Sequence, residues 1–324
     1  MFPQQPPSLP RVLADMPLAP AITQMLDGRV ELVPWPSARA TGAERIEAIY
    51  TYGHPTVDAC LLDRLSAIRV ISNFGVGVDH IDVAAASARG IAVGNTPGIL
   101  DGAAADLAFA LLLAAGRRLV EGDRYARGPD FLHYDPSFLI GREIHGSTLG
   151  ILGLGRIGEQ VARRARGFDM TVLYCNRQRR PAAEEALGVR HVSREELLAT
   201  SDYVVLTVPL TAQTHRLIGR AELARMKPTA TLINVARGAV IDTEALTEAL
   251  SARTIRAAAL DVTDPEPLPR DHPLLRLDNV IITPHLGSAT EQTRQRMTEV
   301  SVENLLAGLS GRPLLFQVNP PGVS

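Results

Sequence analysis

Three residues in the C-terminal half have the types and positions needed to reduce a carbonyl. Arg237 follows the apolar run 231–234, and Pro284-His285 follows the run 280–283. Glu266 lies in Asp264-Pro265-Glu266-Pro267, just beyond Asp261 and the run 257–260. Near-continuous apolar runs read as buried parallel strands, and an open α/β sheet takes its ligands outside the carboxyl ends of its strands. The chemistry that suits the set is hydride transfer to a 2-keto acid. That reaction needs a fixed cation for the substrate carboxylate and carbonyl oxygen, and a proton donor for the oxyanion that forms. Arg237 offers a planar fork of donors, and His285 a group that titrates near neutral pH. Glu266 is suited to orient the imidazole and to favour its charged form. The other histidines (His54, His80, His133, His145, His191, His215 and His272) show no H-x-H or H-E-x-x-H spacing, so no metal is expected.

A second constellation points to the hydride source. Gly153-Leu154-Gly155-Arg156-Ile157-Gly158 fits G-x-G-x-x-G; it follows the apolar run 149–152 and opens a helical pattern reaching about Arg166. This strand–turn–helix context is what the motif requires for a dinucleotide. The glycines permit a tight turn, close approach of the pyrophosphate and packing of helix on strand, while the helix N-terminus supplies N–H groups for the phosphates. The next strand ends at Cys175 and leads into Asn176-Arg177-Gln178-Arg179-Arg180, with no acid before Glu184. A carboxylate at that strand end would accept from a ribose 2′-OH, whereas arginines attract a 2′-phosphate. The expectation is NADP(H), with Arg177 as the leading contact and Arg179 or Arg180 assisting, and NAD(H) as the alternative. Cys175 has no base beside it in sequence and is read as a strand-end thiol, not a nucleophile.

The elements that must position these groups alternate along the chain. Between Arg11 and Gly94 short β-like and helix-like runs alternate, including a strand at 69–72, a helix at 83–89 and a strand at 91–93. Residues 103–118 are apolar nearly all round and read as a helix buried on several sides. Residues 128–141, with Phe131, His133, Tyr134 and Phe138, read as an irregular loop. Six strands (149–152, 171–174, 203–206, 231–234, 257–260 and 280–283) with helices between them fit a doubly wound parallel sheet. A long helix is expected from Ser288 to about Gly308, then a polar tail. Pro3, Pro6, Pro7 and Pro10 make the first ten residues an extended lead-in.

Composition narrows the partners. The 324 residues fit about two domains. Lys+Arg of 33 against Asp+Glu of 35 gives a net charge of −2, which argues against nucleic-acid or membrane-surface binding. Two cysteines make no disulfide framework and fit a reducing compartment. No basic n-region precedes Arg11, and the longest apolar stretch, 107–115, is well short of the ~20 residues of a membrane helix. A cytoplasmic protein is expected.

Four blocks, in order, resemble the D-isomer-specific 2-hydroxyacid dehydrogenases, and among them the glyoxylate/hydroxypyruvate reductases. They are residues 73–82 (NFGVGVDHID), the dinucleotide stretch 149–180, Asn234-Val235-Ala236-Arg237-Gly238, and 261–288. The resemblance spans about Arg11 to Pro320. It implies an α/β protein of two Rossmann-like or flavodoxin-like domains with parallel sheets and an active site in the cleft between them. Residues 1–98 with 287–324 would form a discontinuous substrate domain, and 99–286 the dinucleotide domain. The resemblance makes Arg237, Glu266 and His285 the catalytic set. It gives the substrate carboxylate to the N–H groups of Val76 and Gly77, with Ser288 also in contact. Around the cofactor it sets Gly153, Gly155, Arg156, Ile157, Gly158, Asn176, Arg177 and Arg179, with Val208, Pro209 and Thr214 over the adenosine. Val235, Ala236, Asp261 and Gly287 belong to the cofactor's surroundings, Asp261 near the nicotinamide. It also implies a homodimer with the helix 103–118 at its interface. Two positions depart from the pattern: NAD-using branches carry an acid near Asn176, and Asp101 stands where many relatives have threonine. The short stretch after the last helix argues against phosphoglycerate dehydrogenases with an added regulatory domain. The activity implied is NAD(P)H-dependent reduction of glyoxylate or hydroxypyruvate. Larger 2-keto acids such as 2-ketogluconate are the alternative substrates, selected near Tyr52-Gly53-His54 and Phe74. A nucleotide-sensing, corepressor-like scaffold is the non-catalytic alternative.

Overall fold

The computed structural model describes residues 8–40 and 43–319. The lead-in expected at the N-terminus falls outside the described residues over 1–7, as does the tail from 320. The described chain divides into two compact units, one running to Leu100 and resuming at Thr290, the other comprising Asp101–Ala289. Both crossings coincide with helix starts: Asp101 opens one helix and Thr290 caps another. They lie slightly beyond 98 and 286 because those helices, not the glycines before them, end each unit.

The first unit contains strands β1 (Arg11–Ala14), β2 (Glu31–Pro34), β3 (Ile46–Thr51), β4 (Val70–Asn73) and β5 (Ala92–Gly94). Helices α1 (Pro20–Leu26), α2 (Ala59–Arg64) and α3 (Val83–Ala88) join them. The sheet order is β2-β1-β3-β4-β5, with every neighbouring pair parallel. The order reverses between β1 and β3, which is the switch point at which such sheets take ligands. Leu13, Ile49, Ile71 and Val93 from adjacent strands share one core with Leu61, Leu62 and Ala86.

The second unit opens with α4 (Asp101–Gly116) and α5 (Leu119–Arg127). Residues 128–147 carry no helix or strand. Then follow β6 (Thr148–Leu152), α6 (Arg156–Ala165), β7 (Thr171–Cys175), α7 (Pro181–Leu187), β8 (Arg190–His191), α8 (Arg194–Thr200) and β9 (Tyr203–Leu206). The unit finishes with α9 (Arg220–Arg225), β10 (Thr231–Asn234), α10 (Thr243–Ser251), β11 (Ala257–Leu260) and β12 (Val280–Ile282). Its parallel sheet has the order β12-β11-β10-β9-β6-β7-β8, so the switch lies between β6 and β9. Side chains alternate across it: Ile151, Val205 and Ile233 face a core shared with α4, while Leu152, Val204 and Leu232 face one shared with α10. All six expected strands are present. β8 was not foreseen, since two residues show no periodicity. α5 was not foreseen either, because it is short, polar on average and buries no residue. Among the described residues, no helix is long and apolar enough to cross a membrane.

The last helix, α11 (Glu291–Leu309), belongs to the first unit. Its buried Ser301 accepts from Ser72 Oγ through its carbonyl at 2.7 Å and shares a hydrogen bond with the Tyr50 hydroxyl at 2.7 Å. Burial pushes the Tyr50 phenol far up, so the neutral hydroxyl must find its partner inside. Ser301→Ala leaves that hydroxyl without Ser301 and is expected to cost about 1–3 kcal/mol in denaturant unfolding. Tyr50→Phe added to it is expected to recover part of that loss.

Candidate active site

The glycine loop sits at the switch point of the second unit, between β6 and α6. Gly153 has φ +102°, and a Cβ there would lie 2.8 Å from the backbone nitrogen of Val208, in the segment that follows β9. Glycine is therefore required for the turn. A Cβ built on Gly155 meets nothing within 4 Å, so the loop has an open face there. The N–H groups of Arg156, Ile157 and Gly158, in the first turn of α6, donate to no described residue. Orphan donors on an open, glycine-bounded helix start fit a dinucleotide pyrophosphate. Val208 and Pro209 run beside this loop. Thr214 turns its hydroxyl back to the Pro209 carbonyl at 2.6 Å, closing the 209–214 turn. In the first turn of α4, burial pushes the Asp101 carboxyl up against the opposing pull of Arg156.

The end of β7 differs from expectation in detail. The Asn176 side chain does not face outward: its Oδ1 accepts from the Leu154 N–H at 2.6 Å and its Nδ2 donates to the Leu154 carbonyl at 3.2 Å. It braces the glycine loop. Arg179 is forked onto Glu184 and Arg180 is paired with Glu159, each at 2.7 Å. Arg177 is exposed and has no hydrogen bond or ion pair to a described residue. Cys175 is half-buried, and burial pushes its thiol up.

Arg237, Glu266 and His285 are carried on loops after β10, β11 and β12. Asn234, the last residue of β10 and fully buried, shapes the first loop: its Oδ1 accepts from the Ala236 N–H at 3.0 Å and its Nδ2 donates to the Arg237 carbonyl at 2.9 Å. Val235 is half-buried and Ala236 buried in the same turn. At Gly238 the chain comes so close to the next loop that a Cβ would fall 2.0 Å from the Thr263 carbonyl. That approach fixes the arginine's loop against the one bearing Glu266. The Glu266 carboxylate bridges onward, accepting from the Thr263 N–H at 3.3 Å and meeting His285 Nδ1 at 2.8 Å. The imidazole is 30 % exposed and Glu266 39 %, so the pair is anchored yet open to a ligand.

His285 holds φ +56°, a left-handed conformation rare outside glycine. Asp261 imposes it. Its 2 % exposed carboxylate accepts from Thr283 Oγ1 at 2.6 Å, Leu286 N at 2.7 Å and Gly287 N at 2.8 Å, while its own carbonyl accepts from His285 N at 2.9 Å. Asp261 thus acts through the backbone around His285, and Ser288 follows half-buried in the same turn.

In the first unit the turn after β4 repeats this design. Asn73, 2 % exposed, accepts from Thr51 Oγ1 at 2.7 Å and donates to the carbonyls of Gly75 and Gly77 at 2.8 and 2.9 Å. Asn95 donates to the Val76 carbonyl at 2.8 Å. With the carbonyls drawn inward, the N–H groups of Val76 and Gly77 donate to no described residue. Two successive unengaged amides are a site for a carboxylate. Beside it, Asp15 accepts from the N–H groups of Tyr52 and Gly53 at 2.7 and 2.8 Å. Asn73, Asn95, Asn234 and Asp15 were not singled out from sequence. A lone amide or acid at the end of an apolar run is the signal that would have found them. Among the described residues, no group of three or more His, Cys, Asp or Glu is placed to hold a metal ion.

Residues 109–287 match the NAD binding domain of D-isomer specific 2-hydroxyacid dehydrogenases. A glyoxylate reductase of Korarchaeum cryptofilum is 43 % identical over 97 % of this chain and 99 % of its own. One from Thermococcus gammatolerans is 44 % identical over 89 % of each. Among solved structures, an NADPH-dependent glyoxylate/hydroxypyruvate reductase of Sinorhizobium meliloti, in complex with NADP and malonate, superposes with a TM-score of 0.87 at 33 % identity, covering 97 % of this chain and 98 % of that one. The chain belongs to the D-isomer specific 2-hydroxyacid dehydrogenase family. It is an oxidoreductase fold built to use a nicotinamide dinucleotide.

Asp261→Asn places an amide N–H₂ where N–H and O–H donors converge. It is expected to cost about 2 kcal/mol of stability by denaturant unfolding and to lower kcat by more than it weakens dinucleotide binding, as titration against steady-state rates will show.

Proposed function

We propose that this chain is an NADPH-preferring reductase that converts glyoxylate to glycolate and hydroxypyruvate to D-glycerate. The observation that carries the reading is the 2.8 Å pair of His285 Nδ1 and Glu266, in the same unit as the glycine loop and fixed by Asp261. The bound dinucleotide would supply a hydride to the carbonyl carbon. Arg237 holds the substrate's carboxylate and carbonyl oxygen through its fork of donors. The Val76 and Gly77 amides take the carboxylate as well. With Nδ1 committed to Glu266, the imidazole delivers its proton from Nε2 to the developing oxyanion. Glu266 steadies the ring and the positive charge it carries before transfer. Arg177, the arginine of its loop without an ion pair among the described residues, reads the 2′-phosphate. The names of the relatives and the NADP complex of the Sinorhizobium meliloti enzyme support the same reading.

The first unit is proposed as the substrate domain, the second as the cofactor domain, and the protein as a cytoplasmic homodimer. No large apolar side chain of α4 is exposed; those at the surface of the second unit include Leu132, Tyr134 and Ile140. The dimer contact is proposed to include the segment after α5 together with α4. Sedimentation of a Leu132→Asp, Tyr134→Asp double variant is expected to shift the protein towards monomer.

Initial rates of NADPH and NADH oxidation with glyoxylate, hydroxypyruvate, pyruvate and 2-ketogluconate test the reaction. The two small hydroxy- or aldehyde-bearing acids with NADPH are expected to be fastest. No turnover with any keto acid would favour a nucleotide-sensing scaffold, and preference for 2-ketogluconate a larger substrate. His285→Ala is expected to lower kcat by about a hundredfold or more while leaving NADPH binding nearly intact. Arg237→Ala is expected to raise KM for the keto acid and lower kcat together. Arg177→Ala is expected to weaken NADPH by about 1–3 kcal/mol and NADH far less. Equal losses for both would remove Arg177 from the phosphate site.

A further inference from the structure

The loop after β7 carries three arginines in three electrostatic situations. Arg180 Nη2 donates to Glu159 at 2.7 Å. Arg179 grips both oxygens of Glu184, through Nε at 2.8 and 3.1 Å and Nη2 at 2.7 Å. Arg177 has no such partner among the described residues.

Glu184 is a fixed acid. Its Oε1 also accepts from the Tyr174 hydroxyl at 2.6 Å, and that oxygen in turn accepts from the Arg180 N–H at 2.7 Å. Tyr174 is fully buried in β7. The Glu184 side chain is 15 % exposed and that of Arg179 is 67 % exposed. The Arg179 fork, and then the Tyr174 hydroxyl, hold the Glu184 carboxyl down to about 2, so it is ionised at neutral pH. The arginine is the partner that is able to turn away, and the acid is the one that stays.

We infer that Glu184 determines dinucleotide specificity by holding Arg179 away from the 2′-phosphate and keeping a negative charge beside it. This rests on the reading of Arg177 above and deepens it. A phosphate dianion competes with Glu184 for the same planar fork, and like charges on phosphate and carboxylate oppose each other. The chain's NADPH preference therefore depends on Arg177 and falls short of what its arginine content would give. Replacing Glu184 with glutamine removes the charge, keeps an oxygen to accept from Tyr174, and frees Arg179 for the phosphate.

Dissociation constants of NADPH and NADH, measured by fluorescence titration on the full chain, test the inference in wild type, E184Q, R179A and the double variant. E184Q is expected to bind NADPH about tenfold more tightly, with a far smaller change for NADH. R179A is expected to cost several-fold more NADPH affinity in the E184Q background than in wild type. Equal shifts for both dinucleotides, or equal R179A losses in both backgrounds, would overturn the inference. So would weaker NADH binding with no gain for NADPH, since Glu184 would then be an acceptor for a ribose hydroxyl. E184A carries the same comparison if E184Q does not fold. The wild-type ratio of NADPH to NADH affinity reports separately on Arg177. A wild type that favours NADH removes that reading, while the change on E184Q still decides whether Glu184 restrains Arg179.

Discussion

The buried carboxylate of Asp261 accepts three hydrogen bonds, and all three come from the segment that carries His285. An ionised group taken out of water is costly unless its lone pairs are filled. Here the donors are the Thr283 hydroxyl, two residues before the histidine, and the two backbone amides that directly follow it. Satisfying them bends the chain through the left-handed conformation at His285. That bend aims the imidazole at Glu266, whose other oxygen is tied to the backbone of Thr263. Without Asp261 the histidine would keep Glu266 as a partner but lose the backbone bend that aims its ring there.

The same device recurs wherever a loop must be both short and exact in position. Asn234 ends β10 and holds the loop of Arg237; Asn73 ends β4 and holds the 75–77 turn; Asp15 follows β1 and holds Tyr52 and Gly53. In each case a side chain, buried at Asn234 and Asn73 and half-buried at Asp15, satisfies backbone groups that a surface loop would leave to water. At Asn73 the consequence is directional: the carbonyls are drawn to the amide, and the N–H groups are left for something negative.

Much of this was legible in the sequence, for identifiable reasons. The strands of the second unit other than β8 announce themselves because their runs are nearly continuous and apolar. The placement of Arg237, Glu266 and His285 on the loops after β10, β11 and β12 was legible because each lies beyond such a run. The glycine motif was legible because strand and helix flank it. The bracing residues were harder to see, since one asparagine at the end of a strand looks like any other until its turn is built. Asn176 shows the limit well. The resemblance sets it among the cofactor contacts, while its side chain makes two hydrogen bonds to Leu154 that the sequence does not show. Arg179 and Arg180 likewise read as free charge in one dimension and are paired in three.

The first unit is interrupted in sequence, and this orders the birth of the molecule. The chain leaves that unit at Leu100 and returns at Thr290, while Asp101–Ala289 is continuous. Synthesis from the N-terminus therefore completes the nucleotide-binding unit while the earlier one still lacks α11. Until Ser301 and Asn304 leave the ribosome, the Tyr50 and Ser72 hydroxyls and the Asn95 carbonyl have no helix to meet. The part of the protein made first is the last to close, and the finished nucleotide-binding unit is present on the nascent chain when it does.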